Sequence, residues 1–156
     1  MSKPFSLAGL RLGWITAPAE VIDAVATHRD YTTISVGRID DLLASVALEN
    51  REAILGRARQ ITRRNLAILD EWVVGRPDVS YVRPSGGTTA LLRYEAPLGS
   101  YELCRRLLDA TGVMFTPGAA FDVEGTVRIG FADDTETLRT GLDLFGSFLD
   151  HFTRRT

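Results

Sequence analysis

Two stretches that read as strands place an arginine two residues before a glycine: Arg11-Leu12-Gly13 and Arg128-Ile129-Gly130. On a strand, residues i and i+2 point the same way, so each arginine would share a face with its glycine. The missing side chain would leave space above the sheet for a ligand. The planar guanidinium fork matches the paired oxygens of a carboxylate or phosphate. By spacing alone, the simpler reading is a surface arginine on a solvated sheet face. Lys3, followed by Pro4, is held to extended backbone, and taken by itself it is a solvated lysine near a terminus.

The remaining candidates for chemistry are weaker. His28 and His151 lie far apart, with no carboxylate or cysteine at metal-ligand spacing, so no metal site is expected. Cys104 is the single cysteine, which leaves no intramolecular disulfide and suits a reducing cytoplasm. It stands beside Leu103 on a helical stretch, as a core or boundary residue would. Gly86-Gly87 lacks the lysine of a phosphate loop and fits a tight turn. Arg51, Arg57, Arg59, Arg63, Arg64 and Arg76 make the middle of the chain basic. Glu49, Glu52, Asp70 and Glu71 accompany them without interleaved aromatic residues, which favours a solvated or domain-bridging helix over a nucleic-acid face.

Composition sets the frame for these residues. The chain has 156 residues, 45% hydrophobic and 24% charged, enough to bury a core. A formal charge of -2 and a pI near 5.7 give no reason to expect nucleic acid or an anionic membrane as partner. No apolar run reaches membrane-spanning length and no signal-peptide pattern is present, so the expectation is a cytoplasmic protein.

The elements follow from periodicity. Leu10 to Ile15 alternates as a strand with one packed face would, and Pro18 stops it. Ala19 to His28 reads as a short helix burying Val21, Ile22 and Val25. Tyr31 to Gly37 reads as an extended connector. From Arg38 to about Val74 the pattern is helical. Leu42, Leu43, Val46 and Ala47 form one stripe, and Ile54 through Trp72 a second, with a break near Asn50-Arg51. Gly75 and Pro77 end it. Strands are expected over Val79 to Val82, Thr88 to Tyr94, Val113 to Phe115 and Thr126 to Phe131. Helices are expected over Tyr101 to Ala110 and from Asp133 or Asp134 onward. Glu136 is the expected capping-box partner of Asp133. This order predicts an α+β or α/β layer, a small sheet covered by helices.

The string Ser2-Lys3-Pro4-Phe5-Ser6-Leu7-Ala8-Gly9-Leu10-Arg11-Leu12-Gly13-Trp14 closely resembles the cofactor-attachment segment of class I/II aminotransferases, pyridoxal 5'-phosphate (PLP) enzymes of fold type I. Pro84-Ser85-Gly86-Gly87 resembles the family's turn at the start of a small-domain strand. Val113 to Phe121 resembles its segment ending in Pro-Gly-x-x-Phe. Val127-Arg128-Ile129-Gly130-Phe131-Ala132 resembles the strand whose arginine binds the substrate α-carboxylate. These strings stand in the family's order across almost the whole chain.

The resemblance implies roles. Lys3 would be the Schiff-base lysine, with Ser2 its common companion. Arg11, eight positions later, would bind the cofactor phosphate, and Arg128 the substrate carboxylate. A lysine attacking an aldehyde must do so as the free amine, and can later carry a proton to or from the substrate α-carbon. The implied fold is the carboxyl-terminal domain of a fold type I transferase plus a remnant of its large domain. Residues 1–50 would be the tail of the PLP-binding large domain, and 51–156 the small domain with its linking helix.

The implied activity is transfer of an amino group between an amino acid and a 2-oxo acid, in a homodimer. Relatives of the fold also perform lyase, decarboxylase and cyclase chemistry, including cyclisation of hydroxyarginine. In the family, the large domain ahead of the lysine supplies most of the cofactor pocket, and those motifs cannot be placed on this sequence. This chain by itself is therefore expected to be inactive and to hold PLP weakly or not at all, and a truncated, non-catalytic domain is the reading from a different class.

Overall fold

A computed structural model describes residues 1–153, which divide into two compact units, one over residues 1–59 and one from residue 60 onward. The amino-terminal unit is helical. A 3-10 turn over Ala8–Leu10 precedes helix α1 (Ala19–Arg29) and helix α2 (Arg38–Glu49). Helix α3 (Arg51–Val74) starts here and continues into the second unit. Asn50 separates α2 from α3 because its side-chain amide donates to the Val46 carbonyl at 2.8 Å, which closes the end of α2.

The core of this unit is small. Met1, Phe5, Ala44 and Ala47 are buried, and Leu7, Leu10, Leu12, Ile54 and Leu55 pack around them. Alanines on α2 leave room for the Met1 and Phe5 side chains, which fixes the segment that flanks Lys3.

Three sequence expectations fail here. Leu10 to Ile15 is not a strand: it leaves the 3-10 turn and runs irregularly through residue 18. A strand requires a neighbour for its N–H and C=O groups, and the described strands all lie in the other unit. Val21, Ile22 and Val25 do lie on a helix, but α1 has no buried residue, because no element of this unit covers its apolar stripe. On α2 the packed positions are Ala44 and Ala47, while Leu42, Leu43 and Val46 are exposed.

The carboxyl-terminal unit is a four-stranded antiparallel sheet in the order β1-β2-β4-β3. Its elements are β1 (Val79–Tyr81), β2 (Thr89–Tyr94), α4 (Ser100–Thr111), β3 (Thr116–Pro117), β4 (Thr126–Gly130) and α5 (Thr135–Thr153). Pairing sets Leu92 opposite Val127 and Ala90 opposite Ile129, all buried on one face. Against that face pack Leu69 of α3, Leu103 and Leu107 of α4, and Leu142, Phe145 and Leu149 of α5. Each such fully buried apolar side chain contributes about 1.5–3 kcal/mol. Trp72 stacks with Phe145 at 5.9 Å, and Phe115 meets the same ring edge-on at 5.1 Å.

Local chemistry ends each element. Helix α4 stops at Gly112, whose φ of 77° lets its N–H donate to the Leu108 carbonyl at 2.8 Å. Helix α5 is capped by Asp134, which accepts N–H bonds from Glu136 at 3.0 Å and Thr137 at 3.1 Å. The expected cap, Asp133 with Glu136, is displaced by one residue, and the Asp133 carboxylate accepts the Asp134 N–H instead. The expected strand at Val113 to Phe115 is also shifted: pairing begins at Thr116, opposite Arg128. Phe115 turns inward onto Phe145, so packing rather than ladder formation governs those residues.

Candidate active site

The Lys3 segment is a run of stitched turns. The Lys3 carbonyl accepts the Ser6 N–H at 3.3 Å, the Met1 carbonyl accepts the Leu7 N–H at 3.4 Å, and the Leu7 carbonyl accepts the Leu10 N–H at 3.3 Å. Met1 and Phe5 anchor this run in the small core, while Lys3 lies exposed and Ser2 half-buried. Arg11 closes the 3-10 turn with φ 47°, in the left-handed region, and its Nη1 donates to the Ala8 carbonyl at 3.1 Å. Its expected alignment with Gly13 on one strand face therefore does not occur. Gly9 and Gly13 still border open space, since a Cβ at either would meet nothing within 4 Å.

Arg128 is built as the spacing requires. It stands on β4, exposed, on the same face as exposed Gly130, with buried Ile129 between them. Leu91 pairs with it from one side and Thr116 from the other. Two neighbours orient its side chain. Nη2 donates to Thr116 Oγ1 at 3.3 Å, and the Phe121 ring lies 4.7 Å from the guanidinium carbon. Such a cation–ring contact contributes about 0.5–1 kcal/mol at an exposed site.

Counter-charges separate these groups from the structural arginines. Arg76 is bridged to Asp78 at 2.6 Å and to Asp150 at 2.7 Å, Arg83 to Asp70 at 2.7 Å, and Arg105 and Arg106 to Glu102 at 2.9 and 2.6 Å. Against the opposing effect of burial, the Tyr81 hydroxyl and then Arg83 lower the Asp70 carboxyl, and bonds from Arg105 and Arg106 hold the Glu102 carboxyl at about 2. Tyr81 bonds Asp70 as well, and burial first and that bond second raise its hydroxyl well above the usual range. Among the described residues no carboxylate pairs with Lys3, Arg11 or Arg128. An amine and two guanidiniums free of internal anions are chemically suited to an aldehyde, a phosphate and a carboxylate from outside.

Ser2, Lys3 and Arg11 thus belong to the amino-terminal unit and Arg128 to the carboxyl-terminal unit. Thr116 and Phe121, which hold Arg128, stand in the family-like string Val113 to Phe121, but the sequence gives no sign that they meet Arg128; the signal for that is the β3–β4 register, which sequence does not display. Burial pushes the Cys104 thiol up to about 11, consistent with an inert core residue. Among the described residues no group of His, Cys, Asp and Glu could hold a metal ion.

A protein-family profile, aminotransferase class I and II, matches residues 1–145. The chain belongs to the class I and II aminotransferase family. Aspartate/prephenate aminotransferase of Thermus thermophilus is 34% identical over 153 residues, covering 95% of this chain and 39% of the relative. Capreomycidine synthase of Streptomyces vinaceus is 33% identical over 143 residues, covering 91% and 37%. The solved structure of a PLP-dependent aminotransferase from Streptococcus suis superposes with a TM-score of 0.93 at 42% identity, covering 97% of this chain and 40% of that one. This aminotransferase-family chain spans about two fifths of the length of the relatives it matches. Its helices and small antiparallel sheet match the carboxyl-terminal domain of fold type I aminotransferases, and membership of the family implies PLP as cofactor.

Proposed function

We propose that this chain supplies Lys3, Ser2, Arg11 and Arg128 to the site of a PLP-dependent aminotransferase that moves an amino group between an amino acid and a 2-oxo acid. The observation that carries this reading is Arg128: it is oriented by Thr116 and Phe121, free of any described carboxylate, on a strand inside the family match. PLP, when bound, serves as the electron sink at the substrate α-carbon. Lys3 Nζ would hold the cofactor covalently, and as a free amine it would take up or return the α-proton. Arg11 would bind the phosphate oxygens, Ser2 would assist in holding the cofactor, and Arg128 would fix the α-carboxylate so that the breaking C–H bond keeps its orientation.

In this reading residues 1–50 are the tail of the cofactor-binding large domain and residues 51–156 the small domain with its linking helix. The apolar residues left exposed on α1 and α2 support it, since a larger domain would cover them. A homodimer in the cytoplasm belongs to the same proposal, and sedimentation velocity tests the dimer.

Lys3 is the sole lysine of the sequence, which makes the reading directly testable. Borohydride reduction after PLP addition should place a pyridoxyl group on the peptide containing Lys3, and Lys3→Ala should remove it. A pyridoxyl group on the terminal amine with none on Lys3 at saturating PLP would overturn the assignment of Lys3. A second reading keeps the cofactor but changes the reaction to lyase or cyclase chemistry, and the likeness to capreomycidine synthase favours it. Release of a 2-oxo acid during amino-acceptor screening separates the two.

A further inference from the structure

Phe121 can orient Arg128 only if its own segment is held, and an unassigned pair of residues does the holding. The 3-10 turn Gly118–Phe121 lies between β3 and β4, and its first N–H groups have no partner within the turn. Ser100, fully buried at the start of α4, accepts the Ala119 N–H on its Oγ at 3.1 Å. That hydroxyl donates its own proton to Glu124 Oε2 at 3.2 Å. Glu124 Oε1 accepts the Ser100 N–H at 2.6 Å and the Gly125 N–H at 2.9 Å.

Glu124 therefore acts as a long-range cap for α4, whose preceding residue Gly99 offers no side-chain cap. In the same step it ties down the chain just after Phe121. The turn is closed from inside as well. Asp122 takes φ 57° and donates to the Ala119 carbonyl at 3.2 Å, and Val123 donates to the Gly118 carbonyl at 3.0 Å. A side chain at Gly118 would overlap Thr126 Oγ1 and the Val123 carbonyl, so the turn sits directly on β4.

We infer that Ser100 and Glu124 are positioning residues for the substrate carboxylate: they clamp the Gly118–Phe121 turn so that the Phe121 ring stays against the Arg128 guanidinium. The inference deepens the proposed function and rests on it for the identity of the ligand. Neither residue contributes a side chain to the apolar core face of the sheet. Without the clamp the turn keeps only its internal bonds and the Phe121 ring is held less firmly, which leaves the bond to Thr116 as the main constraint on Arg128. A carboxylate would then have to order the guanidinium as it binds, which costs affinity.

The test uses the full chain labelled with 15N and 13C in arginine. The Arg128 signal is assigned by its loss in Arg128→Lys. Two quantities are read in the wild type, Ser100→Ala, Glu124→Gln, and the control Asp109→Asn, whose exposed pair with Arg105 lies elsewhere on α4. The first is the ring-current shift of the Arg128 Cδ protons over Phe121, taken as the change caused by Phe121→Leu. The second is the dissociation constant for sodium succinate, with sodium chloride at equal ionic strength as reference.

The inference expects the ring-current shift to fall by half or more in Ser100→Ala and Glu124→Gln, succinate to bind about 3- to 10-fold more weakly, and Asp109→Asn to match wild type. Glu124 is exposed, so Glu124→Gln leaves a folded protein even if Ser100→Ala does not. An undiminished ring-current shift in folded Glu124→Gln overturns the inference, as does a lost shift with unchanged succinate affinity. A wild-type chain with an intact ring-current shift but no succinate response beyond chloride counts against Arg128 as the carboxylate site, and the clamp is then judged by the ring-current shift alone.

Discussion

The two units hold their functional groups by different means. Arg128 stands on a strand whose other face is buried against three helices, and each neighbour that orients it belongs to the same sheet or to a clamped turn. Lys3 and Arg11 stand on a run of turns with four buried side chains behind them. The first arrangement fixes a side chain through register, the second through packing of its immediate sequence neighbours. The comparison teaches that an arginine on a sheet can be prearranged by register within one unit, while the lysine segment is held by a smaller core of its immediate neighbours.

The two tryptophans make the contrast measurable, since Trp72 reports the second unit and Trp14, 61% exposed, the first. Single-tryptophan variants should show Trp14 fluorescence changing at lower urea than Trp72; coincident transitions would break the comparison. The largest effect is expected from Phe145→Ala, which removes the ring shared by Trp72 and Phe115. A loss of about 3–5 kcal/mol from the Trp72 transition is expected. Phe5→Ala should cost the Trp14 transition less, about 1–2 kcal/mol, because few residues surround that ring. A cost as large as that of Phe145→Ala would mean that the amino-terminal core is stronger than its four buried residues indicate.

A smaller change should run in the opposite direction. Ile34 takes φ 57°, a left-handed conformation unfavourable for a β-branched residue. Ile34→Gly should raise the Trp14 midpoint by about 1 kcal/mol and leave Trp72 unchanged. A lowered midpoint would show that the isoleucine side chain contributes more than its backbone costs.

The mildest effect concerns acid. Backbone N–H groups of Gly125 and Ser100 lower the Glu124 carboxyl below 4.5, and those of Thr137 and Glu136 lower Asp134 below 3.8. A depressed folded-state pKa stabilises fully above the unfolded value and loses that stabilisation as pH falls through the folded one. The Trp72 transition should therefore weaken as pH falls below 4.5, and Glu124→Gln with Asp134→Asn should flatten that dependence. An unchanged slope in the double variant would remove both caps from the acid response. Both side chains are exposed, so the effect is modest.

Much of this organisation is legible in the residues. The break at Asn50, the stop at Gly75, the αL glycine at Gly112 and the stripe Leu138, Leu142, Phe145 and Leu149 follow from period and capping chemistry. Arg128 beside Gly130 is legible for the same reason: a strand with period two has only two faces. What fails depends on partners that local sequence does not name. Leu10 to Ile15 alternates like a strand, yet alternation cannot supply a neighbouring strand, so Arg11 ends a 3-10 turn instead. Val21, Ile22 and Val25 mark an apolar face correctly, but whether such a face is buried depends on what covers it. The Ser100–Glu124 clamp joins residues 24 apart, at a distance set by the fold and by no spacing rule.

The sheet's outer strands carry a last consequence. β3 is two residues long and ends in Pro117, which has no N–H to offer, and β1 at the opposite edge has only three residues. Neither margin presents a ladder long enough to recruit a stray strand. The sheet terminates itself, so a chain that opens or is cut elsewhere does not turn this unit into a template for aggregation.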